Sequence, residues 1–145
     1  IQAAEIHENP FTDSHPCYGG NGIRGYVASS NRTGDYPIIG RQGALCGNIN
    51  RATGEFYATE HAVCVETYSQ ISVAWACLFL TALNLNQYAT ATAQPGLAVA
   101  NINEVYIPLP PLVEQHRIVQ RIAPSGQRAV KGTRYNIIVK GGLSL

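Results

Sequence analysis

Hydrophobic and polar positions alternate in short, glycine-punctuated runs through the first half of the chain and merge into one long apolar run at residues 71–85. The turn cluster Tyr18-Gly19-Gly20-Asn21-Gly22 precedes Ile23-Arg24-Gly25-Tyr26-Val27. Alternation there predicts a strand with Arg24 and Tyr26 on one face and Ile23 and Val27 on the other. Residues 29–35 are polar and predict a loop. Residues 37–40 and 44–49 predict strands about the turn Gly40-Arg41-Gln42-Gly43, and Asn50-Arg51-Ala52-Thr53-Gly54 predicts a second turn leading to strands at 55–59 and 62–66. Ser69 is placed to cap a helix over 70–86, apolar on nearly every side and therefore expected to lie buried against the sheet.

Residues 87–98 are small and polar around Gln94-Pro95-Gly96, a loop with little side-chain bulk, and 103–109 predict a further strand. Pro111 suits the first position of a helix, with Glu114 in its first turn. That helix carries Leu112, Val119 and Ile122 on one stripe with Ile118 beside it, and Arg117 and Arg121 on another. The apolar stripe is expected to seek a partner helix. Pro124-Ser125-Gly126 is expected to end it after roughly three turns, because proline inside would cost about 3 kcal/mol. The remaining tail has one apolar run, 137–139, and predicts a short strand or disorder. The fold class is α+β: a twisted, mostly antiparallel sheet with a buried helix, followed by the start of an amphipathic dimerisation helix.

Composition narrows the function classes. With 145 residues, 46% hydrophobic and 13% charged, the chain is one globular domain and not a disordered polyelectrolyte. Net charge is +1, so no global field announces nucleic acid or membrane, and any electrostatic footprint is local. Eight of the ten basic residues are Arg, which favours planar, bidentate recognition. Six basic residues and no acidic one follow from Arg117 onward, making a basic tail, whereas 62–102 hold neither Lys nor Arg and read as interior. Four cysteines without a C-x-x-C pair and no visible secretory signal point to a reducing cytoplasm. The longest apolar run falls short of the roughly 20 residues that span a bilayer, so no membrane partner is expected. A chain that begins at Ile1 and contains no Met is expected to be a fragment lacking its native start.

Catalytic chemistry finds little to work with. The glycine cluster lacks the following Lys and helix of a phosphate-binding loop. His7, Glu8, Asp13 and His15 are the only closely spaced metal-type residues, and an exposed N-terminal segment accounts for them, so no metal is expected. A Cys/His hydrolase built from Cys17 and His61 is conceivable, but nothing orients the pair. Nucleic-acid recognition uses the same residues better. Arg24, Arg32, Arg41 and Arg51 each fall on or beside a Gly- or Asn-rich turn, with Asn21, Gln42, Asn48 and Asn50 interleaved. Arg, Asn and Gln match guanine and adenine edges bidentately in the major groove, and glycine turns bring backbone amides to phosphates.

Three stretches carry a family resemblance: Pro16-Cys17-Tyr18-Gly19-Gly20-Asn21-Gly22-Ile23-Arg24-Gly25-Tyr26, Ile39-Gly40-Arg41-Gln42-Gly43-Ala44, and Ile107-Pro108-Leu109-Pro110-Pro111-Leu112-Val113-Glu114-Gln115-His116-Arg117-Ile118-Val119. Joined by Tyr57-Ala58-Thr59-Glu60-His61-Ala62 and Gln94-Pro95-Gly96, they resemble a target recognition domain of a type I restriction-modification specificity subunit, over about residues 17–122. The proline-rich junction ending in Glu-Gln is the most specific element. From Gln127 onward no resemblance is seen.

The resemblance implies a non-catalytic reader of double-stranded DNA. Two such domains per subunit read the two halves of a split target. Helices between them set the spacing and dock methyltransferase subunits, which bind S-adenosylmethionine and methylate adenine, while a separate restriction subunit cuts. This chain is then expected to need no cofactor and to divide into a recognition domain at 1–109, the start of the spacer helix at 110–123 and a tail at 124–145. Having one such domain, it would reach a two-part site through another chain or by self-association through the helix from Pro111. Arg24, Arg41 and Gln42 are the expected base readers. Gly20, Asn21, Arg32, Arg51 and His61 are expected to position the backbone or shape the loops. Leu112, Ile118, Val119 and Ile122 are expected to form the partner or dimer face. A module that dimerises or binds methyltransferase without reading DNA is the competing expectation.

Overall fold

The computed structural model describes residues 1–90 and 95–122 in full and, of the remainder, the backbone of strands at 133–136 and 138–141. Strands β1 (His15–Gly19) and β2 (Gly22–Val27) form a hairpin across the Gly20-Asn21 turn. β3 (Arg32–Gly40) pairs antiparallel with β4 (Ile49–Ala58) on one edge and with β5 (Ala62–Glu66) on the other. β1 runs parallel to β4 at Cys17 and Tyr18, and all other pairings are antiparallel. Helix α1 (Val73–Leu83), a one-turn helix α2 (Val99–Asn103), strand β6 (Tyr106–Leu109) and helix α3 (Leu112–Ile122) follow. β7 (Thr133–Asn136) pairs with β6, and β8 (Ile138–Gly141) extends the main sheet to the order β2-β1-β4-β3-β5-β8. The α+β class, the mostly antiparallel sheet and the buried helix are as expected from the sequence.

Several element limits differ, for physical reasons. Residues 32–35 and 50–54, expected as loop and turn, lie inside β3 and β4, which pair Gly34 with Gly54 and Asp35 with Thr53. Their polarity marks an exposed stretch of ladder, because backbone hydrogen bonds form without regard to what the side chains face. Gly54, at φ +77°, sits directly across from Gly34, so the glycine there distorts the ribbon without reversing it. Residues 41–48, of which 44–48 were expected to be strand, instead form the β3–β4 connection.

The face assignment in β2 also shifts. Cys17 pairs with Gly25 but Tyr18 with Ile23, leaving Arg24 as the extra residue of a bulge. Ile23 is therefore exposed while Val27 is fully buried, which breaks the simple alternation. The cap of α1 is Ser72 and not Ser69: Ser72 Oγ accepts from Trp75 N at 3.3 Å. Asn84 adopts the left-handed conformation at the other end, ending the helix before residue 86.

The core lies between α1 and the sheet, where Trp75, stacked on Phe79 at 5.4 Å, meets Ile39, Val63, Val65 and Leu80. Each such fully buried large side chain contributes roughly 1.5–3 kcal/mol. On the opposite face Phe56 takes Tyr18 and Tyr36 edge-on.

α3 begins one position after Pro111, whose carbonyl accepts from Gln115 N at 3.0 Å. Gln115 is wholly buried, and its amide is saturated: Oε1 accepts from Ser72 N at 2.7 Å while Nε2 donates to the carbonyls of Gln70 and Pro110 at 2.7 and 2.8 Å. This clamp fixes α3 against the entry to α1. The stripe expected to meet a partner helix is largely used within the chain, since Ile118 and Val119 pack on the core, Ile122 is buried and Leu112 is half-buried. The expected stop at Pro124-Ser125-Gly126 lies outside the described residues. Of the two readings of the tail, strand holds for 133–136 and 138–141, which pair back onto β6 and β5.

Candidate nucleic-acid interface

Four connections meet at one end of the sheet: the β1–β2 turn, the β3–β4 connection, the β4–β5 turn and the segment around Pro95-Gly96. Hydrogen bonds fasten them to one another. Asn48 Nδ2 donates to the Gly20 carbonyl at 2.6 Å, and Asn50 Nδ2 donates to Asn48 Oδ1 at 2.9 Å. Arg41 N donates to the His61 carbonyl at 3.0 Å, Leu97 N to the Arg41 carbonyl at 2.8 Å and Gly43 N to the Pro95 carbonyl at 2.9 Å. The Gly20 carbonyl also rests against Gly40, where a β-carbon would overlap it. Only glycine allows the first two connections to approach this closely.

Gly20, Asn21, Arg41, Gln42 and His61 are thereby brought together. Asn21 and Gln42 are exposed, Arg41 and His61 half-buried. Arg41, Gln42, Glu60, His61 and the Pro95-Gly96 backbone line an open cleft of about 430 Å³. A neighbouring hollow of about 460 Å³ is lined by Asn21, Asn48, Asn84 and Asn86. Arg24 borders the group: a β-carbon on Gly19 would sit 3.6 Å from Arg24 Cδ, so the arginine stem runs over the residue preceding the turn. The bulge that makes Arg24 the extra residue also re-aims its side chain.

Two expected members stand apart. Arg32 opens β3 opposite Phe56, is half-buried, lies near enough to the buried Cys64 for its charge to act on that thiol, and is not among the residues that line the cleft. Arg51 lies within β4, not on a turn, and its guanidinium is engaged with Asp35: Nε to Oδ1 at 2.8 Å and Nη2 to Oδ2 at 2.7 Å. The Arg51 hydrogen bonds hold the Asp35 carboxyl below its ordinary value, and Asp35 in turn raises Arg51. Strand registers, which decide where a β residue ends up, are not visible in local composition. Asn48 was legible among the interleaved amides, but its clamping role was not, and Glu60 went unremarked within the Thr-Glu-His segment.

Cys17 is fully buried on β1, and that burial pushes its thiol up, away from the thiolate a hydrolase needs. Burial pushes the Cys64 and Cys77 thiols up to about 11. Among the described residues no three His, Cys, Asp or Glu side chains gather as a metal site, and no helix is long and apolar enough to cross a membrane.

Pinned loops thus present Arg, Gln, Asn and His from one edge of an α+β scaffold. Residues 21–136 match the type I restriction modification DNA specificity domain, and the chain belongs to that family. The match continues past Ile122 and takes in residues 127–136, where no resemblance was expected. Over 101 residues, 70% of this chain, it is 54% identical to the type I restriction enzyme EcoprrI specificity subunit of Escherichia coli. Over 108 residues, 72% of this chain, it is 28% identical to a specificity subunit of Haemophilus influenzae, S.HindORF215P, whose name carries the qualifier putative. The chain spans only 25% and 28% of the length of these relatives. The crystal structure of a type I restriction-modification S subunit from M. genitalium shares its fold, with a TM-score of 0.70 at 15% identity over 86% of this chain and 34% of the other.

Proposed function

We propose that this chain is a DNA-reading portion of a type I restriction-modification specificity subunit, and that it binds one half of a bipartite duplex target. The convergence of the four pinned connections carries the reading. Fixed loops hold hydrogen-bonding side chains without the entropic cost of ordering them on contact. In the major groove Arg41 suits guanine O6 and N7 bidentately, and Gln42 and Asn21 suit adenine N6 and N7. Arg24 lies within reach of the same footprint. The Gly20 turn and His61 are assigned to backbone positioning. Arg32, half-buried and outside the cleft lining, and Arg51, already paired with Asp35, are assigned at most to phosphate contact.

The chain itself carries out no catalysis and binds no cofactor in this reading. It supplies an address to an adenine methyltransferase, which holds S-adenosylmethionine, and through that complex to a restriction subunit, in the cytoplasm. A second recognition domain, from another chain or a second copy, supplies the other half-site.

Selection from a pool of randomised duplexes, with and without a type I adenine methyltransferase subunit, tests the proposal. The expected result is an enriched half-site whose binding falls steeply with salt. Enrichment of no sequence in either condition would overturn it in favour of an interaction module that does not read DNA.

A further inference from the structure

The turn between β4 and β5 places an anion where a DNA-binding surface can least afford one. Ala62 N donates to the Thr59 carbonyl at 3.0 Å, closing a tight turn with Glu60 and His61 at its centre. Thr59 is buried and anchors the turn: its Oγ1 and its N donate to the Tyr18 carbonyl at 2.9 and 3.1 Å. The His61 carbonyl then receives Arg41 N. The Glu60 backbone is therefore held rigidly beside Arg41 and Gln42, while its side chain stays 64% exposed. Its carboxylate lies 3.5 Å from His61 Nε2, longer than a charge-assisted hydrogen bond. Among the described residues lining the cleft, Glu60 is the one acidic side chain.

A carboxylate here repels phosphate and lowers affinity for every duplex. It offers something Arg cannot, because it accepts hydrogen bonds and donates none. The complementary base edge is an exocyclic amine, and guanine O6 or thymine O4 in the same place would be repelled. We propose that Glu60 is a specificity-determining residue of this interface, accepting a hydrogen bond from the exocyclic amine of cytosine (N4) or adenine (N6). The inference rests on the DNA-reading assignment and adds to it the chemistry of one base position.

The test is randomised-duplex selection with the full chain, wild type against Glu60→Ala and Glu60→Gln, each checked for a wild-type circular dichroism spectrum, together with affinity for a scrambled duplex at low salt. Glu60→Ala should bind the scrambled duplex more tightly than wild type and lose about 5- to 150-fold of discrimination at one position. That position identifies the amine as cytosine or adenine. Glu60→Gln, which can both donate and accept, should shift the same position toward adenine, or leave an existing adenine preference in place. A Glu60→Ala variant that keeps wild-type preference at every position, or that weakens on all duplexes alike, would overturn the role of Glu60. A wild-type chain with no preference at all would overturn the underlying reading, and this inference with it.

Discussion

Asn48 Nδ2 donates to the Gly20 carbonyl at 2.6 Å and to the Leu45 carbonyl at 2.8 Å, so one side-chain amide ties the β1–β2 turn to the β3–β4 connection. Asn48→Ala should cost about 1–3 kcal/mol in urea denaturation, because two carbonyls lose their donor. It should also reduce sequence preference more than nonspecific affinity, since the loops would no longer be held in one arrangement. An unchanged unfolding midpoint would mean that water replaces the amide at no cost.

The salt bridge between Arg51 and Asp35 predicts a weak, acid-sensitive contribution. Asp35 is held below its ordinary value of 3.8 by the Arg51 hydrogen bonds, so the pair stabilises the fold above that pH and the contribution disappears as pH falls through the folded value. The side chains are 44% and 40% exposed, so solvent screening limits the effect to less than about 1 kcal/mol. Asp35→Asn should lower stability by that little at pH 7 and by progressively less as pH falls through the folded value, measured by thermal unfolding. Because the fork is occupied, Arg51→Ala should affect DNA affinity less than Arg41→Ala.

Helix α3 was expected to hold its apolar stripe for a partner, yet Ile118 and Val119 pack within the chain. Val119→Glu should therefore destabilise the fold by a few kcal/mol, with no change in sedimentation behaviour until it unfolds. Val113, 72% exposed on the same helix, should tolerate Glu within about 0.5 kcal/mol. Gln115→Ala removes the partner of three backbone groups, at Ser72, Gln70 and Pro110, and should cost roughly 1–3 kcal/mol. If Val119→Glu dissociates an oligomer while each copy stays folded, the stripe belongs to a partner after all.

What was legible in the sequence was whatever depends on local pattern. The apolar run produced α1, the Pro110-Pro111 junction produced α3 within one residue, and the glycines at 20 and at 40–43 marked two of the loops that cluster. Long-range register was not legible. Whether Arg51 faced a ligand or Asp35 depended on the pairing of Pro37 with Arg51 across two strands, which local composition does not encode. The bulge at Arg24 depended likewise on which residue of β1 it faced. Ser72, and not Ser69, caps α1 because Gln115, 43 residues away, fixes the backbone at Ser72. The expectation of a partner-seeking α3 failed for the same reason: an amphipathic stripe reveals that a helix must pack, not on what.

The central claim, that the clustered loops read base identity, is tested most directly by measuring Arg41→Ala against both a selected half-site duplex and a scrambled one at the same salt. The account predicts a loss of about 1–3 kcal/mol on the selected duplex and a smaller loss on the scrambled one. Equal losses on both would reduce Arg41 to a phosphate contact, and no loss on either would contradict the placement of the interface.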